Sequence, residues 1–257
     1  CAMSTGVQRL DLTPASSLAP VGEFIYLPLH ESGGRVESNV ISSPTAGITS
    51  PAGTYSSSGE LISDGASYWI DKSAEISALM SLNSAPFQVI VGVRFTPVVA
   101  PSGQYLYAAS LNTSLGGGGH GIIYSTAGSG KVKCQFAESG TPVDVCNAPS
   151  LTVGTEYRLM CVWDVMRKTV TPYRNGSDTG GGLLTGTLAA CSTSQGLCVM
   201  ARGTATTPAN ITLATQKISD FWVWRTSRDV AAEIGELAQA WNAQPRELPR
   251  RIMSRLA

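Results

Sequence analysis

Acid pairs, histidines and phosphate-cradling glycines are the residue patterns through which a chain of this length most often does chemistry. Retaining glycoside hydrolysis needs two carboxyl groups about 5 Å apart, which on one strand means acids at alternate positions. Asp64, Asp71 and Glu75 come nearest, and their spacing does not set them on one strand face. His30 and His120 are the only histidines. A general-base site needs one of them beside a nucleophile, and serine and threonine are too abundant here to single one out. Gly116, Gly117, Gly118 and Gly119 lead into His120. A phosphate cradle would continue with Lys-Ser or Lys-Thr and a helix; this run does not, so a mobile loop is expected. No catalytic residue emerges, and the chain is read as a non-enzyme.

Binding chemistry leaves more to choose from. Calcium needs clustered carboxylates, amides and carbonyls, whereas Asn112, Asp144 and Asp178 are scattered and read as solvated turn residues. None of the six cysteines is spaced C-x-x-C, so zinc is not expected; no metal or cofactor is assigned. Cys134 and Cys146 flank a turn at residues 139–142, and Cys191 and Cys198 flank one at 194–196. If both segments are hairpins, each pair lies directly across two strands and could be bridged at a non-hydrogen-bonded position. The plainer reading is small apolar fillers in a reduced protein. Tyr68, Tyr105, Tyr107 and Tyr124 are candidate glycan contacts, with Trp69 beside them, because aromatic faces stack on sugars. The same residues fill sandwich cores, and core packing is the simpler role. Trp163, Trp222 and Trp224 are expected to be structural, the last two closing the final strand against both layers.

The C-terminal end carries a second pattern. Leu248, Ile252 and Leu256 recur every four residues, interleaved with Arg246, Arg250, Arg251 and Arg255. If Pro249 opens a helical turn, one side is apolar and the other basic. Such a segment cannot bury its apolar side alone, so it is read as an attachment tail that docks on a partner or on its own domain. Its arginines stand alone. With 18 basic and 18 acidic residues the net charge is zero, which argues against nucleic acid or an anionic membrane as partner. No apolar run approaches the roughly 20 residues that cross a bilayer. Cys1 would suit a mature lipoprotein as well as a processed chain, and without other membrane signals the former is not expected.

The elements that must position these residues are strands. Hydrophobic residues make up 43% of 257, charged residues 14%, with 27 Gly and 14 Pro, a balance that favours an all-β protein with many turns. Phe87, Val89, Val91, Val93 and Phe95 alternate with Gln88, Ile90, Gly92 and Arg94, predicting a half-buried strand. Tyr157, Leu159, Cys161 and Trp163 repeat the pattern, and residues 169–173 run into Asn175-Gly176, a hairpin signal. Residues 218–224 are apolar on both faces, as where a sheet is covered front and back. Thr226 or Ser227 then offers an N-cap, Asp229 falls in the first turn, and Val230, Ile234, Leu237 and Trp241 share a helix face. Ten to twelve strands without βαβ alternation predict a two-sheet antiparallel sandwich. The expected organisation is an extended arm at 1–20, the sandwich at 21–226, a helix at 227–241 and the tail at 242–257.

The order of these elements is familiar. The strand from Tyr157 to Asp164, with Trp163-Asp164 at its end, followed by Tyr173-Arg174-Asn175-Gly176, resembles the core motif of concanavalin A-like, laminin-G-like jelly rolls. The final strand leading into a short helix at 218–241 is similar to theirs, and the resemblance covers about residues 60–241. It implies a jelly-roll fold. Glucanases of that superfamily carry closely spaced acids on one strand, a triplet absent here. Asn242, Pro245, Leu248, Pro249, Arg250 and Arg251 resemble the tails that follow such domains in tailed-bacteriophage virion proteins, although Arg246 stands where those tails have an aromatic residue. This second resemblance implies a structural protein of the virion, a capsid decoration or a head or tail appendage. Its partners would then be other virion proteins and its own copies, with loops 31–60 and 111–120 facing outward. The alternative implied by the fold is a carbohydrate-binding, lectin-like module or adhesin whose partners are surface glycans.

Overall fold

The computed structural model describes residues 22–28, 54–55, 60–62, 69–71, 78–100, 104–109, 119–125, 130–138, 141–185, 188, 197–200, 202–203, 208–209 and 216–243. Within them the alternating segments become two facing antiparallel sheets. One contains β1 (Gly22–Pro28), β2 (Thr54–Tyr55), β3 (Leu61–Ile62), β5 (Gln88–Thr96), β10 (Tyr157–Asp164), β11 (Thr169–Arg174), β12 (Ser177–Asp178), β13 (Gly182–Leu183) and β17 (Lys217–Thr226). Its order is β12-β11-β10-β5-β17-β3-β2, with β1 on the free side of β17 and β13 on β11. The other sheet runs β4 (Trp69–Asp71), β14 (Leu197–Val199), β6 (Gln104–Ala109), β7 (His120–Ser125), β8 (Lys131–Glu138) and β9 (Thr141–Ser150). A short ladder joins β15 (Arg202–Gly203) to β16 (Pro208–Ala209). The strands exceed the ten to twelve predicted because several are pieces of two or three residues, too short for a periodic signal.

Alternation along the three central strands builds the inter-sheet core. Val89, Val91, Val93 and Phe95 of β5, Leu159, Cys161 and Trp163 of β10, and Phe221 and Val223 of β17 supply one side. Leu106, Ile122, Tyr124, Val132, Cys134, Phe136, Leu197 and Val199 supply the other. Each such side chain contributes about 1.5–3 kcal/mol by leaving water, so this layer dominates the folding free energy.

The opposite faces of the same strands overturn one expectation. The β5 face carrying Gln88, Ile90, Gly92 and Arg94 is not solvated; all four are buried. Ile90, Met160, Val162, Trp222 and Trp224 pack under Val230, Ile234, Leu237, Ala238 and Trp241 in a second core. The last four belong to or start α1 (Ile234–Ala243), which follows a 3-10 turn, Ala231–Glu233. Trp222 and Trp224 therefore do not close both layers. Being two residues apart they share the helix-covered face, while Phe221 and Val223 face the other sheet. Trp222 fits because Gly92 lies beneath it: a Cβ there would stand 2.1 Å from its Cε2.

Turns and ends follow local chemistry, with two further corrections. Asn175 and Gly176 take φ of 50° and 81°, as a two-residue hairpin turn demands. Thr226 and Ser227 do not cap the helix. Thr226 stays in β17 and bonds Gln88, and Asp229 accepts the Ala231 N–H at 3.0 Å instead. Leu197 to Val199 does not form a hairpin with a strand bearing Cys191 either. Both edges of β14 are taken, with Cys198 opposite Ile70 and Ala108; Cys191 lies outside the described residues.

Candidate functional site

Where β5 begins and β10 and β17 end, five polar side chains meet beside the start of the 3-10 turn. Gln88 donates through Nε2 to Asp164 Oδ2 at 3.0 Å and to Asp229 Oδ1 at 2.9 Å. Its Oε1 accepts from Thr226 Oγ1 and from the Val230 N–H, each at 3.2 Å. Arg167, from the β10–β11 turn, reaches Asp164 Oδ2 at 2.9 Å and grips both oxygens of Asp229 at 3.1 and 2.7 Å. Its own backbone N–H meets Asp164 Oδ1 at 2.8 Å.

This cluster holds Asp164 and Asp229 on the same glutamine and arginine, and its electrostatics decide what it can do. The Arg167 guanidinium, with the Ala231 N–H and Gln88, holds the Asp229 carboxyl well below the usual carboxylate range. Asp229 and Asp164 together push the Arg167 guanidinium upward. Neither acid has an oxygen to spare: both oxygens of each accept hydrogen bonds from named donors. Acid catalysis requires a carboxyl that takes up and gives back a proton near the working pH, and Asp229, held ionised, does not. The cluster is a clasp that ties three strands of one sheet to the segment leading into α1.

A second pair lies under the other end of the helix. Arg94 Nε stands 3.0 Å from Asp220 Oδ2, the two side chains 2% and 4% exposed. The guanidinium also lies 5.7 Å from the centre of the Trp241 ring, a cation–π distance. Trp241 in turn meets Trp222 edge-on at 5.6 Å and donates Nε1–H to the Leu159 carbonyl at 3.3 Å. Glu60 is tied to Thr96 Oγ1 and Lys217 Nζ at 3.4 and 3.5 Å.

Among the described residues, the sequence-predicted acids and histidine are not brought into one site, whereas Tyr105, Tyr107 and Tyr124 fall on the neighbouring strands β6 and β7. His120 is fully buried, 2.7 Å from the Met80 carbonyl and 4.7 Å ring to ring from Trp163. Burial pushes its pKa down to about 4, so it is a neutral core group and not a surface base. Tyr124 is corrected as a glycan contact: it is 1% exposed and packs edge-on to Phe95 at 5.3 Å. Tyr105 and Tyr107 lie on β6, opposite Ile123 and Ile122. Asp71 lies opposite Leu197 and Asp144 opposite Gln135, in different strands of the six-stranded sheet. Asp178 is exposed in β12, opposite Tyr173, and accepts the Gly180 N–H at 2.8 Å. Tyr68, Asp64, Glu75, His30, Asn112 and the tail residues Arg246, Leu248, Arg250, Arg251, Ile252, Arg255 and Leu256 lie outside the described residues. Among the described residues no cluster of His, Cys, Asp and Glu could hold a metal ion, and no helix is long and apolar enough to cross a membrane.

Sequence reasoning missed the clasp. Its one visible trace was Asp229 in the helix's first turn. Gln88 and Asp164 looked like ordinary polar positions of alternating strands, and Arg167 like a turn residue.

No protein-family model and no curated protein matches the sequence. Solved structures match in shape. A mutant of NanB sialidase from Streptococcus pneumoniae aligns with a TM-score of 0.51 and 14% identity, covering 74% of this chain and 28% of that one. Trypanosoma rangeli sialidase in complex with sialic acid gives 0.51 and 13%, covering 85% and 33%. The chain thus spans a third or less of the length of the sialidases it matches. The likeness is one of fold. It agrees with the two-sheet jelly-roll sandwich and its short C-terminal helix.

Proposed function

We propose that this chain is a non-enzymatic structural protein of a tailed-phage virion, a capsid decoration or a head or tail appendage held by its terminal segments. The observation that carries the non-enzymatic part is the engagement of the buried ionisable groups. Asp164, Asp220, Glu60 and His120 each lie against a structural partner within the fold. Acids and bases engaged in this way hold strands together. The virion setting rests on the likeness of residues 242–251 to the tails of phage proteins. It is supported by the position of that segment, directly after a helix whose apolar side is already covered. A tail with its own apolar and basic sides then has to find another surface.

Particle composition tests this reading. Quantitative mass spectrometry of purified particles should find the chain at a fixed copy number relative to the major capsid protein, unchanged by high-salt washing. Its absence from assembled particles contradicts the proposal.

A further inference from the structure

The β8–β9 hairpin places Cys134 directly opposite Cys146, and we propose that these two residues form a structural disulfide site that closes when the protein meets an oxidising environment. Direct partners in an antiparallel ladder share a face. Their Cα atoms stand about 4.5 or about 5.5 Å apart, depending on the hydrogen-bonding phase. Disulfides span Cα separations of about 4.4–6.8 Å, so direct partners fall within that range, and the bridge needs the non-hydrogen-bonded phase, in which facing side chains lie closer. The ladder keeps its register from Lys133–Asn147 to Cys134–Cys146 and shifts on either side, between Lys131 and Lys133 and between Cys134 and Gln135. Cys134 is 1% exposed in the inter-sheet core, where a closed bridge is shielded from small reductants. The other cysteine pair has no such geometry, because Cys198 is flanked by Ile70 and Ala108.

The chemistry balances with a low-molecular-weight disulfide such as oxidised glutathione as oxidant. One cysteine thiolate attacks the glutathione disulfide and releases one glutathione thiolate. The second cysteine thiolate then attacks the mixed disulfide, forms the Cys134–Cys146 bond and releases the other. Two protein thiols are oxidised, and one glutathione disulfide becomes two thiols. In a reducing cytoplasm both cysteines stay thiols; outside it the bridge forms. It would fasten β9, which ends the order of its sheet, to β8.

Refolding in a glutathione redox buffer tests this. Trypsin cuts after Lys133 and Arg158, so one peptide, 134–158, carries both cysteines and no other. The full-length protein should yield this peptide lighter by two hydrogens and unreactive to iodoacetamide, and reduction should restore both thiols. Its urea midpoint should exceed that of the reduced protein. Cys146→Ala and, separately, Cys134→Ala should abolish the difference between oxidised and reduced midpoints, whatever each substitution costs in itself. Two alkylated cysteines in that peptide after oxidative refolding to the native spectrum would overturn the proposal, as would bridges linking either residue to another cysteine.

Discussion

At pH 7 the His120 imidazole sits uncharged between the Met80 carbonyl and the Trp163 ring. Its folded pKa, about 4, lies below the ordinary value of 6.5. Between those two pH values the unfolded chain binds a proton that the folded chain does not, so stability falls as pH drops from 6.5 to 4 and this effect levels off below. The full difference corresponds to roughly 3 kcal/mol. Urea midpoints of the wild type should therefore drop between pH 7 and pH 4.5, and His120→Phe should flatten that drop even if it lowers both midpoints. Equal pH slopes in the two proteins would refute a buried neutral histidine. Asp229 acts in the other window: its folded pKa is depressed, so its contribution is present above its ordinary value and lost as pH falls below it. The histidine's fate was only half legible in the sequence. A histidine after four glycines looks like a loop residue, and nothing local says that Trp163, 43 positions on, will lie against it.

The element that organises the molecule is α1. It turns the outer side of a three-strand platform, β10, β5 and β17, into a second apolar core. Trp241 is its anchor, meeting Trp222, Arg94 and the Leu159 carbonyl at once. Trp241→Ala removes a fully buried large aromatic, which costs about 3–5 kcal/mol. We expect a lower urea midpoint and a blue-to-red shift in tryptophan emission as Trp222 and Trp224 gain solvent; an unchanged midpoint would show that the helix is not part of the folding unit. The strand-to-helix transition at 217–241 was legible because it is local: Ile218, Phe221, Trp222, Val223 and Trp224 set apolar residues on both faces, then a helical stripe follows. What the apolar outer face implied for β5 was not carried through. Arg94 and Gln88 look solvent-facing in alternation, and only their non-local partners, Asp220 and Asp229, explain their burial. Those partners lie far away in sequence, Gln88 and Asp229 being 141 positions apart. Alternation reports two faces of a strand but not what covers them.

For the whole molecule, the two cores are joined by the clasp and by the Arg94–Asp220 pair, and the proposed function assigns attachment to the tail beyond Ala243. The expected start of that tail at residue 242 moves, since the helix runs to Ala243 and Trp241 must be kept. The most direct test of the central claim is incorporation of a chain ending at residue 243 into particles, measured against the full-length protein by quantitative mass spectrometry. The account predicts a truncated protein with the wild-type circular dichroism spectrum and urea midpoint that is lost from particles. A truncated protein present at the full-length copy number would contradict attachment through the tail.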